Sequence, residues 1–85
     1  MIRVRCLGHI GTSVGTSEVQ LEEPCLLPAE VVEKVRVMAG TGDPGFTRYN
    51  TLVLVEDGEA FVSAESDRQV RSGDRVVLIP FSHGG

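Results

Sequence analysis

Residues 73–80, Gly-Asp-Arg-Val-Val-Leu-Ile-Pro, decide the fold of this 85-residue chain. The Gly-Asp pair belongs to a turn at residues 72–74, and the branched side chains after it predict a β-strand over residues 75–80. Because successive side chains of a strand point to opposite faces, Val76 and Leu78 are expected to face a helix packed on the sheet. This last strand is therefore expected to lie at the centre of a sheet.

The amino-terminal segment is predicted to supply the neighbour of that strand. Residues 2–8 alternate apolar and polar side chains, which is the period of a half-buried strand, and this places Arg3 and Arg5 away from the core. Small, turn-forming residues occupy positions 11–17, and residues 18–22 alternate again, so the two strands are predicted to form a hairpin. The first and last strands are both apolar enough to lie side by side.

One helix is predicted after this hairpin. Residues 28–39 begin with a proline, which the first helical position tolerates. Val31, Val35 and Met38 recur at spacings of four and three, which is the period of an amphipathic helix. Gly40 is expected to end it.

Two further expectations concern the surface of the helix and the loop that follows it. Glu30 and Lys34 lie four residues apart and are expected to form an ion pair on the solvent side. Residues 40–50 have the composition of a loop, and Phe46 and Tyr49 are expected to anchor it to the body of the protein.

The remaining segments complete the order of elements. Residues 51–56 and 59–64 are predicted to be strands of a hairpin that turns at Asp57-Gly58. The order strand, strand, helix, strand, strand, strand predicts an α+β protein with the β-grasp arrangement of ubiquitin. We expect a mixed sheet of four to five strands with one helix across it over residues 1–80, followed by a flexible tail, residues 81–85.

Composition limits the possible partners. The net charge is −4, which argues against nucleic acid because its binders carry basic patches. Arg68, Arg71 and Arg75 are close in sequence, and we interpret them as solvated turn residues. The apolar runs are far shorter than the roughly 20 residues of a membrane-spanning helix, and the amino terminus lacks the pattern of a signal peptide. These features predict a cytoplasmic protein without a membrane partner.

The two cysteines are predicted to be free thiols. In the expected hairpin, Cys6 lies opposite about residue 19, and Cys25 lies roughly 20 Å further along, at about 3.3 Å per residue. A disulfide requires Cα atoms within about 7 Å. Two free thiols suit a reducing compartment.

No constellation of catalytic or cofactor-binding residues is visible in the sequence. His9 and His83 stand far apart, with no nucleophile or acid at the spacing of a triad. Gly8, Gly11 and Gly15 lack the lysine of a phosphate-binding loop, and no cysteine or histidine has zinc-ligand spacing. We therefore expect neither catalytic residues of its own nor a bound metal or cofactor.

Gly84-Gly85 is the feature that carries chemistry. A carboxylate that is to be activated must enter the catalytic channel of another protein. Glycine has no Cβ, so its backbone can approach a channel wall or a nucleotide closely. The pair follows an apolar strand through the short segment Phe81-Ser82-His83, which suits a slender tail that becomes ordered in a complex.

With these residues, the carboxyl-terminal region resembles the MoaD/ThiS-type ubiquitin-like sulfur carriers, a family that includes Urm-like and small archaeal modifier proteins. The resemblance is carried by residues 73–80 with Gly84-Gly85, and by residues 54–58, Leu-Val-Glu-Asp-Gly, which are similar to the family's Val-Asn-Gly turn. The His-Gly-Gly ending is more similar to the Urm-like branch than to the molybdopterin branch.

The resemblance implies a carrier that other proteins activate. A partner activating enzyme would use ATP to adenylate the carboxylate of Gly85, with Gly84 supplying clearance. A sulfur donor would then convert it to a thiocarboxylate for molybdopterin, thiamine or tRNA thiolation. The alternatives are the small subunit of a molybdopterin synthase bound to the large subunit, a modifier joined through Gly85 to lysines of target proteins, and a non-catalytic β-grasp binding domain.

A partner surface is expected beside the tail. If Val76 and Leu78 face the helix, the outward side chains of the last strand are apolar, and the arginines of the first strand lie next to them. Such a surface would suit docking of a partner protein. The candidate partner-binding residues are Phe81, Ile79, Val77, Arg3 and Arg5.

Overall fold

The structure is a computed structural model that describes residues 1–40 and 45–81. In chain order the elements are β1 (Ile2–Cys6), α1 (Gly8–Val14), β2 (Glu18–Leu21), β3 (Cys25–Leu26), α2 (Pro28–Met38), β4 (Thr51–Asp57), β5 (Ala60–Ser63), β6 (Val70–Arg71) and β7 (Arg75–Pro80).

The main sheet has five strands in the order β2-β1-β7-β4-β5. β1 and β7 are parallel neighbours at its centre, where Val4 pairs with Val76 and Cys6 pairs with Leu78. The other three pairings are antiparallel. This topology confirms the predicted β-grasp fold and the adjacency of the first and last strands.

The core lies between one face of this sheet and the helix α2. Val76 and Leu78 are buried on that face, as expected, and Val31 and Val35 are buried on α2. Met38 is 44% exposed, so the expectation that it faces the core is wrong, and Val32 is buried instead. The fully buried positions also include Ile2, Val4, Ile10, Val55 and Val70.

The predicted turn over residues 11–17 is wrong, because a helix, α1, occupies Gly8–Val14. Gly8 has a φ of 56°, which redirects the chain out of β1, and the side chain of Ile10 enters the core. Gly15, with a φ of 90°, ends the helix by donating its N–H to the carbonyl of Gly11. A Cβ on Gly11 would lie 2.7 Å from the carbonyl oxygen of Cys6, so this close packing requires glycine.

The helix α1 also sets the register of the hairpin formed by β1 and β2. The backbone N–H of Cys6 donates to the carbonyl of Ser17, and Val4 pairs with Val19. Cys6 therefore lies beside Ser17, two residues from the position expected from a simple turn.

A second, two-stranded sheet was not predicted. Its strands β3 and β6 pair Leu26 with Val70 and Cys25 with Arg71. Leu26 and Val70 are both buried, so this sheet closes one side of the core. Strands of two residues are too short to show a period in the sequence.

The ion pair expected between Glu30 and Lys34 does not form. The carboxylate of Glu30 accepts the backbone N–H of Leu27 at 2.8 Å, which satisfies a donor at the start of α2. Lys34 pairs with Glu23 instead, with 2.8 Å between the ammonium and carboxylate atoms. This contact raises the pKa of Lys34 and lowers the pKa of Glu23.

Two residues that were expected to anchor the loop after α2 behave differently. Phe46 is fully buried, and Arg36 Nε donates to its carbonyl at 2.7 Å, so its predicted role is confirmed. Tyr49 is 68% exposed, and its ring lies 4.9 Å from the guanidinium carbon of Arg48. The anchoring role predicted for Tyr49 is therefore wrong. Residues 41–44 of this loop lie outside the described residues.

The second hairpin follows the prediction with a shift of one residue. Asp57 pairs with Ala60, so the two-residue turn is Gly58-Glu59 and not Asp57-Gly58. Gly58 has a φ of 67°, which the first position of a tight hairpin turn requires.

Both cysteines are free, as predicted, but their surroundings differ. Cys6 is buried in the core, and burial raises the pKa of its thiol to about 11. Cys25 lies exposed on β3. At about pH 8 only about one Cys6 thiol in a thousand would be ionised, even with full access to reagent.

We therefore expect an aromatic disulfide reagent to modify one thiol quickly at about pH 8 and the second only on unfolding, because the thiolate is the reactive form. The absorbance of the released thiol measures both phases. In Cys25→Ala the fast phase should vanish and the denaturant-dependent phase should remain. Fast modification of two thiols in the folded protein would contradict this assignment.

Phe46 and Tyr49 offer a matched pair for testing the core. Phe46→Ala should lower the free energy of unfolding by about 3 to 5 kcal/mol, since it removes a fully buried ring and leaves a cavity. Tyr49→Ala should change it by about 0.5 kcal/mol or less, because that ring is mostly in solvent. Urea unfolding followed by circular dichroism measures both, and equal losses would show that the loop packs differently.

Candidate functional site

The tail begins where β7 ends. The backbone N–H of Phe81 donates to the carbonyl of Asn50 at 2.9 Å, which ties the end of the last strand to the residue before β4. The Phe81 side chain is 42% exposed. Ser82, His83 and the glycines Gly84 and Gly85 lie outside the described residues. The structure thus gives the position from which the tail departs.

An apolar groove lies beside this departure point. We call it the tail-side groove; its lining includes Pro28, Val32, Tyr49, Leu52, Ala64 and Phe81. Tyr49, Leu52 and Phe81 are each more than a third exposed. These three residues place exposed apolar surface within reach of any protein that takes hold of the tail.

The second feature is the sheet face opposite α2, which we call the open sheet face. Its side chains alternate with the buried ones, as the cross-strand register shows. Arg3 pairs with Arg75, and Arg5 pairs with Val77, on β1 and β7. Val77 pairs in turn with Leu54 on β4. The face therefore carries a basic strip on one side and an apolar strip on the other.

A shallow groove on the open sheet face contains most of the basic strip. We call it the arginine groove; it is lined by Arg3, Arg5, Glu18, Phe61, Arg75, Val76 and Val77. Arg75 lies 3.7 Å from the carboxylate of Glu56, and Phe61 is 46% exposed at the edge of the sheet. Guanidinium groups next to aromatic and aliphatic side chains are typical of protein interfaces.

The candidate partner-binding residues thus divide into two groups. Arg3 and Arg5 are exposed and share the arginine groove with half-buried Val77. Phe81 lines the tail-side groove instead. Ile79, also half-buried, pairs with Leu52 on β4, and Leu52 lines the tail-side groove. The five residues therefore belong to two surfaces of the molecule.

Sequence reasoning missed several residues of these surfaces, four of which follow from the strand register. Leu52, Leu54 and Phe61 are outward-facing residues of β4 and β5, and the alternation of the β4 sequence could have identified the first two. Arg75 was interpreted as a turn residue with Arg68 and Arg71. It belongs to β7 and faces the same way as Arg3, whereas Arg71 lies on β6 of the small sheet.

The described part of the chain holds no cluster of three or more His, Cys, Asp or Glu side chains that could bind a metal ion. Across residues 1–40 and 45–81, no helix has the length and apolar character needed to cross a membrane. Among the residues that the structure describes, the two grooves and the point where the tail departs are the candidate docking features.

Comparison with known proteins gives a structural match without a sequence match. No protein-family model matches the chain, and no curated protein matches it in sequence. The crystal structure of SAMP1 from Haloferax volcanii superposes on it with a TM-score of 0.67. The two share 18% sequence identity, and the match covers 99% of this chain and 98% of SAMP1. At this identity the match establishes the fold, and the fold that this chain shares with SAMP1 is the β-grasp.

Proposed function

We propose that this chain is a ubiquitin-like sulfur carrier that acts through the carboxylate of Gly85. One observation carries the proposal: the central strand β7 continues directly into the tail, and the N–H of Phe81 fixes the point of departure. The β-grasp domain then serves as a handle by which a partner enzyme positions a narrow, glycine-ended segment. The domain itself performs no chemistry and binds no cofactor.

Two further observations support this assignment. The sequence of residues 73–80 with the terminal glycines resembles the carrier family. The fold that carries this tail is shared with SAMP1 over nearly the whole of both chains.

The proposed chemistry takes place in an activating enzyme. A carboxylate oxygen of Gly85 attacks the α-phosphate of ATP, and pyrophosphate leaves, which gives an acyl adenylate. A sulfur nucleophile from the donor then attacks the acyl carbon, and AMP leaves with the electron pair of the broken C–O bond. The nucleophile is a persulfide of the donor, so the product is an acyl disulfide. A second thiol attacks the donor's sulfur and forms a disulfide with it, and the thiocarboxylate leaves with the electron pair of the broken S–S bond. This thiocarboxylate delivers sulfur to a cofactor precursor or tRNA.

The tail-side groove gives the activating enzyme a place to hold the carrier. Phe81 is the last residue before the reactive segment, and Tyr49 and Leu52 extend its apolar surface. Exposed apolar side chains of this kind bury well against a partner, and aromatic residues often dominate interface energies. Docking here would place the remaining tail residues at the mouth of the enzyme's catalytic channel.

A second candidate function is a protein modifier of the same fold. The His-Gly-Gly ending, which is more similar to the Urm-like branch, favours it. In this case the amine of a target lysine attacks the acyl carbon in place of sulfur, and an isopeptide bond forms at Gly85.

Mass spectrometry of the protein from its own cells tests these candidates. A chain that ends at Gly85 with one terminal oxygen replaced by sulfur supports the carrier. Glycine-glycine remnants on lysines of other proteins support the modifier. A cell that grows normally with a chain lacking Gly85, under conditions that demand thiolation, would overturn both and leave a β-grasp binding domain.

Gly84→Val should leave the domain folded and block adenylation, because the branched side chain widens a segment that must pass through a narrow channel. Release of pyrophosphate by the activating enzyme measures the reaction, and urea unfolding measures the fold. Gly84→Ala serves as the milder control and should retain part of the activity. Normal adenylation of a folded Gly84→Val protein would contradict the clearance argument.

Phe81→Ala should weaken binding of the activating enzyme by about tenfold, as expected for an exposed aromatic contact at an interface. Its effect on the free energy of unfolding should be about 1 kcal/mol, because much of the ring is already in solvent. Titration calorimetry and urea unfolding give the two quantities. A large loss of stability with unchanged affinity would place Phe81 in the core and not in the docking surface.

A further inference from the structure

The arginine groove concentrates positive charge in a protein that is acidic overall. The chain has a net charge of −4, yet three arginines occupy neighbouring positions on the open sheet face. Arg3 and Arg75 are direct cross-strand partners on strands about 4.8 Å apart, and Arg5 follows on the same face. Like charges directly opposite one another in a sheet oppose folding, so the fold itself gives no reason for this arrangement.

The acidic groups around the groove neutralise it only in part. Glu56 pairs with Arg75 at 3.7 Å, and Glu18 is the cross-strand partner of Arg5. The side-chain neighbours of Arg3 along its row are Gln20 and Arg75, neither of which is an acid. Among residues 1–40 and 45–81, no carboxylate lies within 4 Å of the Arg3 or Arg5 guanidinium.

The arginine groove also has an apolar floor, and its distance from Phe81 follows from the length of β7. Val77 lies beside Arg5, and Phe61 forms the outer wall. From Arg75 to Phe81 the chain advances six residues of extended strand, or about 20 Å at about 3.3 Å per residue. A standard protein interface covers about 800 Å² on each partner, so one partner can span both the groove and the tail.

We propose that the arginine groove is the far anchor of the activating enzyme, and that it receives an acidic side chain of that enzyme between Arg3 and Arg75. This proposal rests on the proposed function, because it names the partner as the enzyme that adenylates Gly85. A carboxylate between two guanidiniums would relieve their mutual repulsion and form charge-assisted hydrogen bonds. The contact lies about 20 Å along the strand from Phe81, which itself precedes the reacting residue, so it would hold the carrier without taking part in the chemical step.

The test measures adenylation as a function of carrier concentration for Arg3→Ala, Arg75→Ala and the matched control Arg71→Ala. Arg71 is exposed on the small sheet, outside the groove. Each groove variant should raise KM for the carrier about tenfold with kcat unchanged, as expected for the loss of one interfacial charge pair. The Arg71→Ala protein should match the wild type. Raising the salt from about 50 mM to about 500 mM should weaken wild-type binding more than binding of the groove variants.

A second measurement uses a chain that cannot react. The protein that lacks Gly85 should inhibit adenylation of the wild type competitively, because it retains both docking surfaces. Adding Arg3→Ala to this chain should raise its inhibition constant about tenfold, whereas Arg71→Ala should leave it unchanged. Urea unfolding of each variant verifies that the fold is intact.

The outcomes separate this proposal from the proposed function. If the wild type is adenylated and the groove variants behave like Arg71→Ala, the arginine anchor is wrong and the carrier function stands. If no activating enzyme of the source cell adenylates the wild type, both proposals fall. A groove variant that lowers kcat at unchanged KM would also overturn the anchor, because it would place the arginines in the chemical step.

Discussion

The parallel pairing of β1 with β7 is the interaction on which the rest of the structure depends. Two neighbouring strands can be parallel only if the chain between them crosses from the end of the first strand back to the level at which the second begins. Here the crossing segment contains α2, which buries Val31, Val32 and Val35 against the sheet. Because β7 is central, its inner residues Val76 and Leu78 are enclosed by strands on both sides and by the core. The last strand is therefore held firmly in place up to its final residue.

Under the proposed function, this arrangement would separate stability from reactivity within a few residues. Leu78 is fully buried, whereas Phe81, three residues further on, is 42% exposed and is held through a backbone hydrogen bond to Asn50. The transition lets a partner handle the tail without disturbing the core. The same sheet presents its other face to solvent, so under the proposed function one element would offer both the reactive end and a place to hold it.

The parts of the fold that the sequence predicts are those with a long or strict period. β1, β7 and α2 are identifiable because their apolar residues repeat over several positions and are buried accordingly. The short elements are not predictable in this way. The seven residues of α1 include two glycines, a threonine and a serine, and this composition resembles a turn, although Ile10 enters the core. Side-chain partners are not predictable in this way either. Lys34 pairs with Glu23, which lies before α2, and not with a residue one turn away on the helix.

The candidate site shows the same division. Alternation along β7 predicts which side chains face outward, and it correctly places Val77 on the open sheet face. It does not give the register between strands, so it could not show that Arg3 and Arg75 stand opposite one another. Nor could it show that Phe81 lies in a different groove from the arginines. The parallel pairing of β1 with β7 aligns residues that are far apart in sequence. Because of it, Arg75 lies on a sheet face opposite Arg3, although the sequence alone indicated a turn residue. The charge pattern of that face is thus a product of the same β1–β7 pairing that positions the tail.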